Sequence, residues 1–146
     1  MKTTNFWICD SCHKMIKESV DGTVEWSDIP ELRYQGAKCK NIRLVHRKCS
    51  SEKNDENLCD RPLSDFLGFN GLMQLLEFIS DDKFIEKEEV LEFIKRLHIK
   101  GYEQARFYFN DAIADGIIEI NGKERYYAQH QIDSVIKEYC NQNNKY

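Results

Sequence analysis

The sequence has no long hydrophobic run. No apolar segment approaches the roughly 20 residues that a membrane-spanning helix needs. The first residues, Met1-Lys2-Thr3-Thr4-Asn5, open no apolar run of the length found in a signal peptide. We therefore expect a cytoplasmic protein with no membrane partner.

The sequence also lacks the short motifs that often mark catalytic sites. It has no glycine-rich phosphate loop, no H-E-x-x-H motif and no nucleophile elbow. His98 and His130 each stand alone, and the paired acids Glu88-Glu89 belong to the solvated face of a predicted helix. We therefore do not expect an enzyme.

What is present is typical of a folded protein. The chain is 41% hydrophobic and 32% charged, with a net charge of −4. Charge is unevenly distributed, because residues 1–63 hold 11 basic and 10 acidic side chains whereas residues 64–146 hold 10 and 15. The acidic balance of the second half disfavours nonspecific binding of nucleic acid there, which depends on cations that meet phosphates.

Two cysteine-containing motifs are the strongest signal in the chain. Cys9 and Cys12 form a C-x-x-C motif, and His46 and Cys49 form an H-x-x-C motif. Each motif brings two ligands to one turn, and three cysteines with one histidine are a usual ligand set for structural zinc. The spacing predicts one structural zinc ion bound by Cys9, Cys12, His46 and Cys49.

The same residues also match three other kinds of site. Cys9 to His13 also matches the C-x-x-C-H pattern of haem attachment, but that chemistry requires export. A redox pair would need a βαβ context, and a disulfide framework would need an oxidising compartment, which nothing in the chain indicates. His46 could instead be a surface histidine, with Cys39 completing the site, and Cys39 or Cys59 could replace one of the four ligands.

The first half has the pattern of short strands. Strands are predicted at Phe6-Trp7-Ile8, at Met15-Ile16 with a return through Asp21-Gly22, at residues 23–27 and at residues 41–45. Each ligand pair then lies at the end of a β element, an arrangement that resembles zinc-ribbon modules. The polar segment 50–57 marks a domain boundary, so we predict a small β-hairpin zinc module over residues 1–57.

The second half, residues 58–146, has helical periodicity. The first helix is predicted to bury an apolar face that includes Phe69, Leu72, Leu75, Leu76 and Ile79. Further helices are predicted over residues 86–98, 102–115 and 131–140. Asn121-Gly122 between two β-rich runs predicts a hairpin. Because this half carries its own apolar residues, chelation of the metal is expected to unfold only residues 1–50.

This order of elements resembles a winged-helix domain over residues 70–140. The most specific piece runs from Ala105 and Phe109 through Gly116-Ile117-Ile118 into the Asn121-Gly122 turn. In that family the third helix commonly enters the DNA major groove and the wing contacts the backbone. The resemblance implies that the following side chains face outward or tip the wing: Glu103, Gln104, Arg106, Phe107, Tyr108, Asn110, Lys123 and Arg125.

The predicted fold is therefore α+β, a zinc module followed by a winged-helix domain of three helices and a β-wing. The first functional hypothesis is a zinc-stabilised DNA-binding protein that regulates transcription. Its phosphate contacts would come from a basic strip in the zinc module: Lys38, Lys40, Arg43, Arg47 and Lys48. The alternative is an adaptor or inhibitor that binds another protein, because Phe107 and Tyr108 are aromatic residues of the kind enriched at protein interfaces.

Overall fold

The protein is an α+β chain that divides into two compact units. The computed structural model describes residues 6–36, 38–50 and 57–140. Unit 1 is Met1–His98 and unit 2 is Ile99–Tyr146. The division lies some forty residues beyond the boundary predicted at residue 57. The segment that suggested that boundary, residues 51–56, lies outside the described residues.

Five strands form two small antiparallel sheets in unit 1. β1 (Trp7–Ile8) pairs with β2 (Met15–Ile16). β3 (Gly22–Asp28) is the central strand of the second sheet, between β4 (Cys39–His46) and β5 (Leu58–Pro62). The hairpin predicted between Met15-Ile16 and residues 23–27 is not formed, because β2 pairs with β1 instead. β5 was not predicted as a strand, and its pairing with β3 carries the sheet past residue 57.

Two helices complete unit 1. α1 (Gly68–Ser80) follows a 3₁₀ turn. α2 (Lys87–His98) has two glutamates in its first turn and three basic residues in its last, as the helix dipole favours. Sheet and helices share one core, in which Trp26 contacts Phe66, Phe78 and Phe84 edge-on or at a tilt. The prediction that the helices after residue 57 have a core independent of the metal module is therefore wrong for α1 and α2.

Gly71 allows α1 to approach the turn before it. A Cβ atom at this position would lie 2.0 Å from the carbonyl carbon of Phe66 and 2.4 Å from its oxygen, and neither backbone atom can move aside alone. We therefore expect Gly71→Ala to lower the free energy of unfolding of unit 1 by about 2 kcal/mol, as overpacking does. Gly122→Ala is the matched control in chemical denaturation, because no atom lies within 4 Å of its added Cβ. Equal stability of the two variants would contradict this account.

Unit 2 is built from short helices around its own core. α3 (Tyr102–Ala105) continues through a 3₁₀ turn, Arg106–Tyr108, into α4 (Phe109–Ala114). α5 (Gln129–Val135) ends in a π-helical turn, Ile136–Cys140. The core contains Tyr102, Phe109, Ala112, Ile118, Ile132 and Val135. Throughout the described ranges, no helix is long and apolar enough to cross a membrane.

The predicted β-wing is not formed. Residues 117–128 are all described and contain no strand. The amides of Ile117 and Ile118 donate to the carbonyl of Ala112, so this run closes the end of α4 instead of extending away from it. Arg125 has a left-handed backbone, with φ of 72°, which interrupts the second run. The long third helix is also interrupted, by its 3₁₀ turn.

Candidate metal centre

The four predicted ligands meet at one end of unit 1. Cys9 and Cys12 lie in the turn between β1 and β2. His46 ends β4, and Cys49 closes the 3₁₀ turn Arg47–Cys49 that follows it. The four ligand atoms all lie within 4.8 Å of one another, so the cluster is close enough to hold one metal ion. The structure thus joins residues that are more than thirty positions apart in sequence.

The donor set and its dimensions fit a tetrahedral ion. Bonds of about 2.3 Å to sulfur and 2.0 Å to nitrogen place neighbouring ligand atoms about 3.5–3.8 Å apart. The Cys12 Sγ and His46 Nδ1 atoms are 3.3 Å apart, close to that separation. The widest pair in the cluster needs to contract by at most about 1.3 Å.

The Cys9 thiol is prepared for the thiolate state that metal binding requires. Its burial raises the pKa, but backbone N–H groups of Cys12, His46 and Ser11 donate to Sγ at 3.3–3.5 Å and outweigh that effect. The net result lowers the pKa of Cys9 from 9.0 to about 6. The backbone of both motifs is therefore already arranged to stabilise negative charge on this sulfur.

His46 and Cys49 are the ligands at the end of β4, and a carbonyl of β2 orients the His46 ring. His46 Nε2 lies 3.0 Å from the carbonyl oxygen of Met15, so Nε2–H donates there and Nδ1 is left to face the thiols. Burial raises the pKa of Cys49, and the neighbouring Cys9 and Cys12 thiols raise it further. A cation at the centre would relieve that crowding of thiolates, because opposite charge favours the ionised form.

An ion pair braces the first metal turn against α2. Arg96 is buried, and its guanidinium donates to Asp10 Oδ2 at 2.8 Å and to the carbonyl of Ile8 at 3.1 Å. Asp10 Oδ2 also accepts the Leu44 amide at 2.8 Å. We call the contacts of Arg96 with Asp10 and Ile8 the Arg96 brace. The sequence analysis did not predict it. Arg96 falls on the same helical face as Val90 and Phe93, and a charge on that buried face was the available signal.

The alternative ligands do not join the cluster. Cys39 is buried in β4, where its backbone bonds to Lys83 and Ile85, and Cys59 lies in β5 opposite Trp26. His13 is exposed and has a left-handed backbone, with φ of 63°. Among the described residues, the four predicted ligands form the one group that could hold a metal ion.

The predicted basic strip is divided by the structure. Arg43 forms an ion pair with the buried Glu25 at 2.6 Å, so its positive charge is already balanced by a carboxylate in the sheet. Arg47 and Lys48 are exposed and, with Lys17, line a cleft of about 510 Å³ beside His46. Lys38 donates to the carbonyl of Asp82 at 2.7 Å, at the other end of β4.

The predicted outward face around the third helix is also only partly exposed. Glu103, predicted to face outward, is buried and bonded to Arg106 at 2.7 Å, so that prediction is wrong. Tyr108 stacks on Tyr139 with ring centres 5.5 Å apart. Phe107 is 52% exposed beneath the Arg106 guanidinium. The other predicted residues are at least partly exposed and do not form one surface with a wing: Gln104, Asn110, Lys123 and Arg125.

Tyr139 is expected to lose its proton at a higher pH than an ordinary tyrosine. A hydrogen bond to Asp115, followed by burial and the negative charge of that carboxylate, raises the pKa of Tyr139 from 10.0 to about 12. Because the folded state holds the proton more tightly, this stabilisation is complete below pH 10 and is lost as pH rises toward 12. Tyrosinate absorbance should show a late step that Tyr139→Phe removes. An unchanged titration in that variant would contradict the assignment.

The surface feature that the sequence analysis missed is an apolar face of α1. Phe69, Met73 and Leu76 recur at helical spacing and are 89%, 66% and 45% exposed. Phe69 and Leu76 had been predicted to pack inward, but Gly71, Leu75 and Phe78 form the buried side. We call Phe69, Met73 and Leu76 the α1 face.

Known proteins add nothing to this assignment. Neither the protein families, nor the curated proteins, nor the solved structures with which the chain was compared contain a match to it.

Proposed function

We propose that this chain is a zinc-stabilised adaptor that binds another protein through the α1 face and catalyses no reaction. The observation that carries the proposal is the exposure of three large apolar side chains on one regular helix. Apolar patches of this kind are uncommon on monomeric surfaces and mark sites of association. Phe69, the most exposed of the three, is the kind of aromatic anchor that dominates interfaces.

The metal centre has a structural role in this proposal. Three thiolates and one imidazole complete the tetrahedral set of zinc and leave no position for water or substrate. The centre joins the β1–β2 turn to the end of β4, and Arg96 joins that turn to α2. Zinc therefore supports the same core on which α1 is packed.

The test compares two exposed phenylalanines in different units. Tagged protein carrying Phe69→Glu should lose a partner captured from nuclease-treated lysate of the source cells, whereas Phe107→Glu should retain it. Phe69 is nearly fully exposed, so its replacement should change stability by less than about 0.5 kcal/mol. Loss of the partner with Phe107→Glu alone would favour the third-helix surface. A partner that is captured only from lysate without nuclease treatment would reject the adaptor.

The second candidate is binding of nucleic acid. It is favoured by the cleft beside His46, where the cations Lys17, Arg47 and Lys48 outnumber the one carboxylate, Asp21. In this candidate, unit 1 supplies the phosphate contacts, and the function is regulation of transcription through binding of DNA. Affinity for a labelled DNA duplex should then fall steeply with salt, because each neutralised phosphate releases counterions. Arg47→Ala with Lys48→Ala should reduce both affinity and salt dependence, while Lys137→Ala, in unit 2, serves as the control. Binding unaffected by salt would reject this candidate.

A further inference from the structure

We infer that the partner of the α1 face is an amphipathic helix that carries lysine or arginine beside its apolar side chains. The inference rests on the proposed adaptor function and adds the chemistry of the partner. A helix with exposed apolar side chains at positions i, i+4 and i+7, as in α1, is complementary to another helix with the same periodicity. The apolar part of the contact thus fixes the shape of the partner.

The charge of the partner follows from the end of α1. Glu77 lies one turn beyond Met73, and Asp81 and Asp82 follow the last turn. All three are exposed, and within the described ranges none of these carboxylates forms an ion pair. They also lie at the negative end of the helix dipole, where acidic groups are unfavourable. A partner that brings cations to this end would pair with these carboxylates and would also offset their repulsion from the helix dipole.

Nearby cations of unit 1 offset this charge only in part. The Lys38 ammonium donates to the carbonyl oxygen of Asp82 at 2.7 Å. Arg61, before the start of α1, is already bonded to Asp65 and Gln74. Lys83 lies over the rings of Phe78 and Trp26, at 5.2 and 6.0 Å from their centres. The C-terminal end of the α1 face therefore presents three carboxylates against the two cations Lys38 and Lys83, which leaves a net negative charge.

A second copy of the chain is a poorer occupant for the same reason. Its own α1 face would bring Arg61, which is already paired, and the same three carboxylates. Two chains of net charge −4 also repel each other. An anionic membrane surface is disfavoured by the same acidic rim.

The experiment uses three synthetic helical peptides with leucine at positions i, i+3, i+4 and i+7. Their polar positions carry lysine, glutamine or glutamate, and each is titrated into the isotope-labelled, zinc-loaded full chain while amide chemical shifts are recorded. We expect the lysine peptide to shift amides of residues 65–83 and to bind at least about tenfold more tightly than the glutamate peptide at low salt. That preference should shrink as salt screens the charges.

Two variants make the test specific. Phe69→Ala should weaken binding of the lysine peptide at least tenfold without changing the fold, because Phe69 makes little contact within the protein. Glu77→Lys with Asp81→Lys should reverse the order of the lysine and glutamate peptides. Glu119→Lys, an exposed change in unit 2, is the control and should leave the order unchanged.

Each other outcome overturns the inference. Equal, Phe69-dependent binding of all three peptides would preserve the adaptor function and reject a basic partner. No binding of any peptide would reject a helical partner, and the lysate capture with Phe69→Glu would then judge the adaptor function separately. A dimer in sedimentation that Phe69→Ala abolishes would identify a second copy as the occupant. Phe69-dependent flotation with anionic vesicles would identify a lipid surface.

Discussion

Removal of the metal is expected to unfold all of unit 1, including α1 and α2, and not only residues 1–50. Binding of a structural zinc ion contributes on the order of 10 kcal/mol to folding in small modules, which is comparable with the whole stability of a domain. Cys9 belongs to the same core as Trp26, Phe66 and Phe93, so loss of the centre propagates through that core. Unit 2 has its own core and should remain folded.

Tryptophan fluorescence gives a clean measurement, because both tryptophans of the chain, Trp7 and Trp26, lie in unit 1. Addition of a strong chelator should shift the emission of buried Trp26 to longer wavelength, and restored zinc should reverse the shift. Because both tryptophans lie within residues 1–50, amide signals of Phe78 in α1 and Phe93 in α2 decide whether the helices unfold as well. Amide signals of Phe109 and Ile132 in unit 2 provide the internal control. Native amide signals of α1 and α2 after complete metal removal would contradict the shared core.

Loss of the Arg96 brace is expected to have the next largest effect. Arg96→Met keeps most of the side-chain volume but leaves Asp10 without its cation, which costs about 3 kcal/mol for a buried pair that loses one partner. This value is at the lower end for such pairs because Asp10 remains 24% exposed. Since Asp10 lies between two ligands, metal affinity should also fall about 10–100-fold, as it does when supporting residues are removed.

Chemical denaturation and competition with a chelator of known affinity measure these two effects. Lys87→Met is the control, because Lys87 is exposed at the start of the same helix. Asp10→Asn combined with Arg96→Met should recover part of the lost stability, because it removes the unpaired charge. Wild-type stability and metal affinity in Arg96→Met would show that the brace has no role.

The metal cluster was predictable because its signal is local. A turn of four residues brings Cys9 next to Cys12, and the alternating strand before His46 delivers the second pair, so two short patterns define the site. Cys39 and Cys59 could not be excluded in the same way. Only the strand register, which places Cys39 opposite Asp28 and Cys59 opposite Trp26, shows that they belong to the sheet.

The failures came from residues whose tertiary contacts override local preference. Asn121-Gly122 has strong hairpin propensity, yet the flanking Ile117 and Ile118 satisfy their amides at the end of α4. In α1 the apolar residues surround the helix, so periodicity could not decide which side is buried. Gly71 decides it, because only a residue without a side chain fits against the Phe66 backbone.

The central claim is one structural zinc ion bound by Cys9, Cys12, His46 and Cys49, and X-ray absorption at the zinc edge tests it most directly. The spectrum of the purified full chain should show three sulfur neighbours at about 2.3 Å and one nitrogen at about 2.0 Å, with no bound water. An edge height well below one zinc per chain would contradict the account, as would a spectrum with oxygen ligands or fewer than three sulfurs.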